Sequence, residues 1–334
     1  MDGRRVAVIT CIFVTYACFA GSPIQQSESD VNAGKALFND ASLSADGRVS
    51  CASCHQPQRA FSDGKSVAIG VFGRAGNRNT PSLLNLGASQ TFFWDGRRTR
   101  LEDAVTDPFF IAQEMGLTHD EELVARVRAA GYANRFNHTF PDTASISVSR
   151  IQSALAAYVR SLTSRQTPYQ QPRSAWNLQG PAKQGMAIFF GKAQCNTCHT
   201  VTATDGRFTD DRFHASALGT QHMATELSSL ITTYLAHPAT GRQLGELVAQ
   251  RKDLAELGRF LVSTEPADIN TFRTPSLLNV ANTAPYMHDG SVATLEQAVD
   301  LEIYYRSLQT GKPLHLTVDE RSNLVTFLKT LRSP

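Results

Sequence analysis

Cys51-Ala52-Ser53-Cys54-His55 returns 144 residues later as Cys195-Asn196-Thr197-Cys198-His199. Two thiols at this spacing can each bond one vinyl group of a haem, and the adjoining imidazole can turn onto the iron. The pentapeptide is the attachment signal of c-type haem. A single copy could arise by chance or form half a zinc site. Two copies, each heading the same downstream pattern, point to two covalent haems. Cys51, Cys54, Cys195 and Cys198 are then the anchors, and His55 and His199 the proximal iron ligands.

The downstream pattern is Arg78-Asn79-Thr80-Pro81-Ser82-Leu83-Leu84-Asn85, which returns as Phe272-Arg273-Thr274-Pro275-Ser276-Leu277-Leu278-Asn279. Here the offset is 194, and it persists from Asp95-Gly96 to Asp289-Gly290 and from Leu101-Glu102-Asp103-Ala104-Val105 to Leu295-Glu296-Gln297-Ala298-Val299. The second half thus carries about 50 extra residues, expected within 212–270. Duplication of one haem unit accounts for the pattern. The same offset pairs Trp94 with His288 and Pro108 with Glu302. Proline has no side-chain donor for iron, whereas a carboxylate has one. The repeat therefore predicts two haems with different sixth positions, with Glu302 a candidate ligand at the second.

A chain of 334 residues suggests two domains. A net charge of +2 from scattered Lys and Arg gives no nucleic-acid footprint. Residues 1–20 read as a secretory signal: Arg4 and Arg5 open it, and Val6 to Phe19 is too short for a comfortable membrane span. Cleavage after Ala20 is one reading; lipoprotein processing at Cys18 is the other. Export to the periplasm suits c-type haem, which is attached outside the cytoplasm. The four remaining cysteines are all used by haem, so no disulfide is expected.

Residues 21–32 form a polar leader. Helices are expected over 32–38, 120–130, 147–163 and 180–190, opening at Leu101 and Leu295, and from Thr317, which with Glu320 forms a capping box. Ile151, Leu155, Tyr158 and Leu162 share one stripe; Leu324, Phe327, Leu328 and Leu331 share another. No run alternates well enough for a sheet. The fold class is mostly α: two tandem cytochrome c-like domains, 33–165 and 181–334, joined by a linker over 166–180 that holds Pro168 and Pro172.

Taken with Phe93-Trp94-Asp95-Gly96-Arg97, Gln113-Glu114-Met115-Gly116 and Thr283-Ala284-Pro285-Tyr286-Met287-His288-Asp289-Gly290, these strings resemble the bacterial di-haem cytochrome c peroxidase family, which includes the MauG branch. The match spans roughly 33 to 332. The resemblance implies a peroxidatic haem in the N-terminal domain and an electron-transfer haem in the C-terminal one. It implies Trp94 as the bridge between the haems, Glu114 as the distal acid–base group, and His288 near a haem propionate. It also implies a calcium ion held by Asn79, Thr283 and Pro285, which offer the oxygen donors calcium prefers. For each residue a plainer role stays open: core aromatic for Trp94, solvated helix residue for Glu114 and turn chemistry for the calcium trio.

Several positions depart from that family. Ala104 stands where Gln is frequent. Residues 56–80 contain no His to cap the first iron, so the peroxidatic haem, with Pro108 on its distal side, should be open. Glu302 stands where Met, or Tyr in MauG, is usual; it is either a ligand or solvent-facing, with Tyr304 and Tyr305 as competitors. Ala193 replaces a surface Trp of MauG, and the remaining Trp, Trp176, falls in the linker. His119, His138, His214, His222, His237 and His315 have no paired spacing that demands a metal.

Three functions follow. The first is a periplasmic peroxidase that reduces hydrogen peroxide to water with electrons from a small c-type cytochrome or cupredoxin. The second is a MauG-like enzyme that uses peroxide and a high-valent di-haem state to oxidise a residue of a partner protein. The third is a non-enzymatic di-haem electron carrier or sensor.

Overall fold

The computed structural model describes residues 27–139, 146–164, 167–171, 173–202, 206–216, 218 and 223–332. The signal expected over 1–20 lies outside them, as does His222. Helix α1 (Glu28–Asn39) begins inside the stretch expected to be leader. Ser27 caps it by accepting from the Asp30 amide at 3.1 Å, and Asp30 accepts from the Ser27 amide in return. This polar box starts the helix four residues before its apolar stripe.

The first half continues through α2 (Cys51–Cys54), α3 (Leu101–Ala104), α4 (Asp120–Ala129), α5 (Ala133–Thr139) and α6 (Val148–Ser161). Ile151, Leu155 and Tyr158 are buried on α6, while Leu162 lies just past its end. The second half opens with α7 (Gly180–Phe190). The short strand β1 (Phe213–Ala215) comes next, then α8 (Leu227–Ala236), α9 (Gly241–Gln250), α10 (Lys252–Ala255), α11 (Phe260–Ser263) and β2 (Thr271–Arg273). Helices α12 (Leu295–Thr310) and α13 (Val318–Thr330) close the fold, α13 starting at the expected Thr317–Glu320 capping box. The antiparallel pair β1–β2, with His214 opposite Phe272, corrects the expectation of no sheet. Three-residue strands are too short for alternation to reveal.

Each half is organised by one helix pair, α1 on α6 and α7 on α13. Both pairs approach through a glycine. A Cβ on Gly34 would collide with the Ala154 carbonyl, and one on Gly185 with the Asn323 carbonyl. Gly185→Ala is therefore expected to cost about 1–3 kcal/mol by overpacking. Chemical denaturation reads this directly; wild-type stability would mean that the helices part without penalty.

The segment expected to be a linker is not a loose tether. Tyr169 and Trp176 are buried in the second core, with the Tyr169 hydroxyl 2.6 Å from Thr330 Oγ1 and Trp176 Nε1 donating to the Gln171 carbonyl at 3.0 Å. Just before it, the Ser164 hydroxyl receives the amides of both Asn85 and Asn279, the matched ends of the repeat.

The extra residues of the second half also have a clear place. The offset between matched positions is 144 at Cys51 and Cys195, 147 at Phe61 and Phe208, and 194 at Thr80 and Thr274. Nearly all of the insertion therefore lies between Phe208 and Thr274, where α8–α11 gather around their own core of Leu230, Tyr234, Leu244, Val248 and Phe260. This unit reaches back to the first half. Asn77 donates to the Val248 and Ala249 carbonyls, Arg78 to the Ala255 carbonyl, and the Ala112 amide to Glu246 Oε2 at 2.9 Å. Among the described residues, no helix is long and apolar enough to cross a membrane.

Candidate active site: two cavities of one design

His55 follows α2, its amide donating to the Cys51 carbonyl at 2.9 Å; the His199 amide does the same to Cys195 at 3.0 Å. Each motif is thus a tight turn that brings both thiols and the imidazole to one wall. His55 Nδ1–H donates to the Phe61 carbonyl at 2.8 Å and His199 Nδ1–H to that of Phe208 at 2.9 Å. Both acceptors sit in left-handed backbone, φ 59° and 57°. Fixing the proton on Nδ1 leaves Nε2 as the free lone pair, the state a metal needs. Burial pushes the His55 pKa down and that of His199 to about 4, so both rings are neutral. The repeated Thr-Pro-Ser strings hold these loops: Ser82 donates to the Ala60 carbonyl and Ser276 to that of Arg207, both at 2.6 Å.

The first cavity encloses about 1450 Å³ of empty space, counting the part continuous with solvent, and Cys51, Cys54, His55, Trp94, Pro108 and Glu114 line it. The second, about 1240 Å³, is lined by Cys195, Cys198, His199, Trp94, His288 and Glu302. Trp94 belongs to both walls, with Nε1 donating to the Asn79 carbonyl at 2.9 Å.

No helix carries Glu114. It sits in a turn whose backbone is held on both sides: its amide donates to Ile111 and its carbonyl accepts from Val71. Burial raises its carboxyl pKa to about 7; Arg97 opposes the shift, while Asp107 and Glu246 add to it. Pro108 faces the same space from the turn Asp107–Phe110. On the other side, Glu302 projects from α12. More than a third of its surface stays open because the cavity itself is open, yet the surrounding protein raises its pKa against Arg306 and His214. Tyr304 is 58 % exposed, and neither it nor Tyr305 lines this cavity. The expectation that they compete with Glu302 is thereby corrected. Asn79, Thr283 and Pro285 converge on a third cavity, again beside Trp94. The Asn79 amide nitrogen donates to the Lys65 carbonyl at 2.9 Å, so its oxygen is the atom it can offer a cation.

His288 is buried, stacked on Phe272 at 3.7 Å, with Nε2 at 2.9 Å from Glu256 Oε2. Sequence reasoning missed Glu256, since it comes from the insertion. It also missed His214, which lines the second cavity with Nε2 at 2.8 Å from Asp210 Oδ2. Gly245, Val248 and Ala249 of α9 form part of the first cavity's wall, although they belong to the second half of the sequence. Arg78 and Arg97, which also line the first cavity, lay inside strings already quoted and could have been singled out there. Of the other histidines, His119 caps α4 by accepting from the Glu122 amide, His237 and His315 are exposed, and the His138 side chain lies outside the described residues.

The sequence profile described as "Di-haem cytochrome c peroxidase" matches residues 28–175. The methylamine utilization protein MauG of Methylorubrum extorquens is 34% identical over 312 residues, covering 90% of this chain and 77% of that one. The chain belongs to the di-haem cytochrome c peroxidase family. A cytochrome-c peroxidase of Denitromonas iodatirespirans, IdrP2, is 32% identical over 312 residues, covering 90% of this chain and 81% of the relative. The crystal structure of a MauG-like protein associated with microbial copper homeostasis superposes with a TM-score of 0.74 at 32% identity, covering 93% of this chain and 92% of that one. As a member of that family the chain is an oxidoreductase acting on peroxide, which sets aside the non-enzymatic carrier. Membership implies two c-type haems.

The cavities suit that cofactor on their own terms. Arg78 Nε and Nη1 and Arg97 Nε are buried in the first cavity's wall without a hydrogen-bond partner. Burying such donors unpaired is costly. The propionates of a haem are carboxylates that would satisfy them by charge-assisted bonds.

Proposed function

We propose that the first cavity reduces hydrogen peroxide to water and that the second takes in electrons from a small c-type cytochrome or cupredoxin in the periplasm. The observation that carries this reading is Glu114: a half-buried carboxyl, its pKa raised to about 7, in the wall of the cavity that His55 also lines. Cys51, Cys54 and His55 would hold one haem, and Cys195, Cys198 and His199 the other. When bound, the haems supply the two electrons that break the O–O bond. Glu114 would take a proton from one peroxide oxygen and return it to the other, which leaves as water. With two electrons and two protons, one peroxide gives two waters. Pro108, which has no side-chain donor atom, would leave room for peroxide in the first cavity. Trp94, on both walls, is the natural bridge for electrons. A calcium ion held by Asn79, Thr283 and Pro285 beside Trp94 would fix the two halves against each other.

Glu302 favours a second reading. Glu302 lines the second cavity, and if it held that haem's iron its anionic oxygen would favour the oxidised states and make the haem a poor acceptor from ordinary cytochromes. That is the property wanted in a MauG-like enzyme that oxidises a residue of a partner protein. Steady-state oxidation of a reduced small cytochrome by peroxide separates the two: rapid turnover supports the peroxidase, and its absence in a peroxide-reactive protein supports the other. Glu302→Met should raise the potential of the His199 haem on the order of 100 mV, within the roughly 0.8 V that axial ligands span, and speed cytochrome turnover. Spectroelectrochemistry showing no shift would remove Glu302 as a ligand.

A further inference from the structure

The first cavity holds a polar group with no assigned task. Gln113 lines it immediately before Glu114, in the same turn, and its Oε1 is buried without a hydrogen-bond partner. An unpaired buried amide is destabilising unless something in the cavity completes it. Pro108, Met115 and Ala104 on the same wall have no side-chain donor to offer it, and no described residue, the unpaired Arg78 and Arg97 donors of that wall included, makes a hydrogen bond to Gln113 Oε1.

We propose that the Gln113 carboxamide is a second distal group that orients hydrogen peroxide for Glu114. This rests on the first cavity being the peroxide site. Peroxide carries two O–H donors and lone pairs on both oxygens. Glu114 needs the proton of the inner oxygen. Gln113 Oε1 accepts the O–H of the outer oxygen and turns that atom's lone pair toward the proton Glu114 will return. With two electrons that the haems would supply, the O–O bond breaks; the outer oxygen departs as water with its own hydrogen and the one from Glu114, and the inner oxygen takes two protons from solvent to become the second water. Turning the amide over would place a donor at the same spot, and peroxide can accept there as well as donate. The task is one of aim, so its loss should be modest beside the loss of the proton carrier.

The test uses the haem-loaded protein and two readouts. Gln113→Met keeps the shape and removes the amide. It should lower kcat/KM for peroxide about three- to tenfold, the size of one ordinary hydrogen bond. It should also shift the C–O stretching frequency of carbon monoxide bound to the reduced first haem, a probe of distal polarity that needs no turnover. Ala104 reaches the same cavity with only a methyl group, so Ala104→Gln added to Gln113→Met should bring both readouts back toward wild type. Gln113→Leu serves as a second apolar variant should the Met form load haem poorly. Wild-type values of both readouts in the apolar variants, with Glu114→Gln still slow, would overturn the role of Gln113 alone. Failure of Ala104→Gln to recover either readout would overturn the claim that an amide is what the site requires. Loss of effect in Glu114→Gln as well would instead sink the assignment of the cavity.

Discussion

Glu114→Gln should slow O–O cleavage by about 10²–10⁴-fold while leaving peroxide able to bind, since it keeps the shape and removes the proton carrier. Stopped-flow mixing with peroxide measures this. The pH profile is the sharper signature. Glu114 must start ionised to accept a proton, and burial places its pKa at about 7. The cleavage rate of the wild type should therefore climb with pH through about 7 and level off above it, whereas the variant should show no such limb. Stability moves the opposite way. A carboxyl whose pKa rises from 4.5 in the open chain to about 7 in the fold helps the fold below 4.5, and this help is lost as pH rises through 7. The variant should accordingly melt higher than wild type at pH 8 and lose that advantage at pH 4. An unchanged cleavage rate would make Glu114 a structural residue.

His55→Gly should reduce the peroxide reaction to background while the absorption of the other haem stays near that of wild type. His199→Gly should do the reverse, leaving a peroxide-reactive first cavity that no cytochrome can resupply. The asymmetry follows from what each cavity contains. Glu114 lines only the first, and Glu302 only the second. Equal losses in both variants would mean that the cavities do not divide the work.

The parts legible in the sequence were those built from local chemistry. The two Cys-x-x-Cys-His turns close on their own backbone bonds, the Thr317–Glu320 box is complete within four residues, and the repeat of Thr-Pro-Ser marks the loops behind each imidazole. Pro108 and Glu302, which the same offset pairs, line the first and the second cavity respectively. Misreadings came from geometry that spacing does not carry. Tyr304 is two residues on from Glu302, about 200° around α12 and so on the far side, and Tyr305, about 60° away, still stays outside the cavity wall. Arg306, one turn on, does share its face and lines the cavity. The insertion has no counterpart in the first half, so nothing in the repeat could say that α9 would wall the other half's cavity or that Glu256 would meet His288. The unpaired amide of Gln113 is likewise visible only once its surroundings are known.

The most direct test of a divided pair of haems is EPR of the ferric protein, before and after one equivalent of peroxide. Two haem signals of different ligation should appear: a high-spin one lost in His55→Gly, and a low-spin one lost in His199→Gly that also changes in Glu302→Met. Peroxide should consume the high-spin signal within the time that Glu114→Gln prolongs. A single signal, or a high-spin signal that survives His55→Gly and ignores peroxide, would contradict the account.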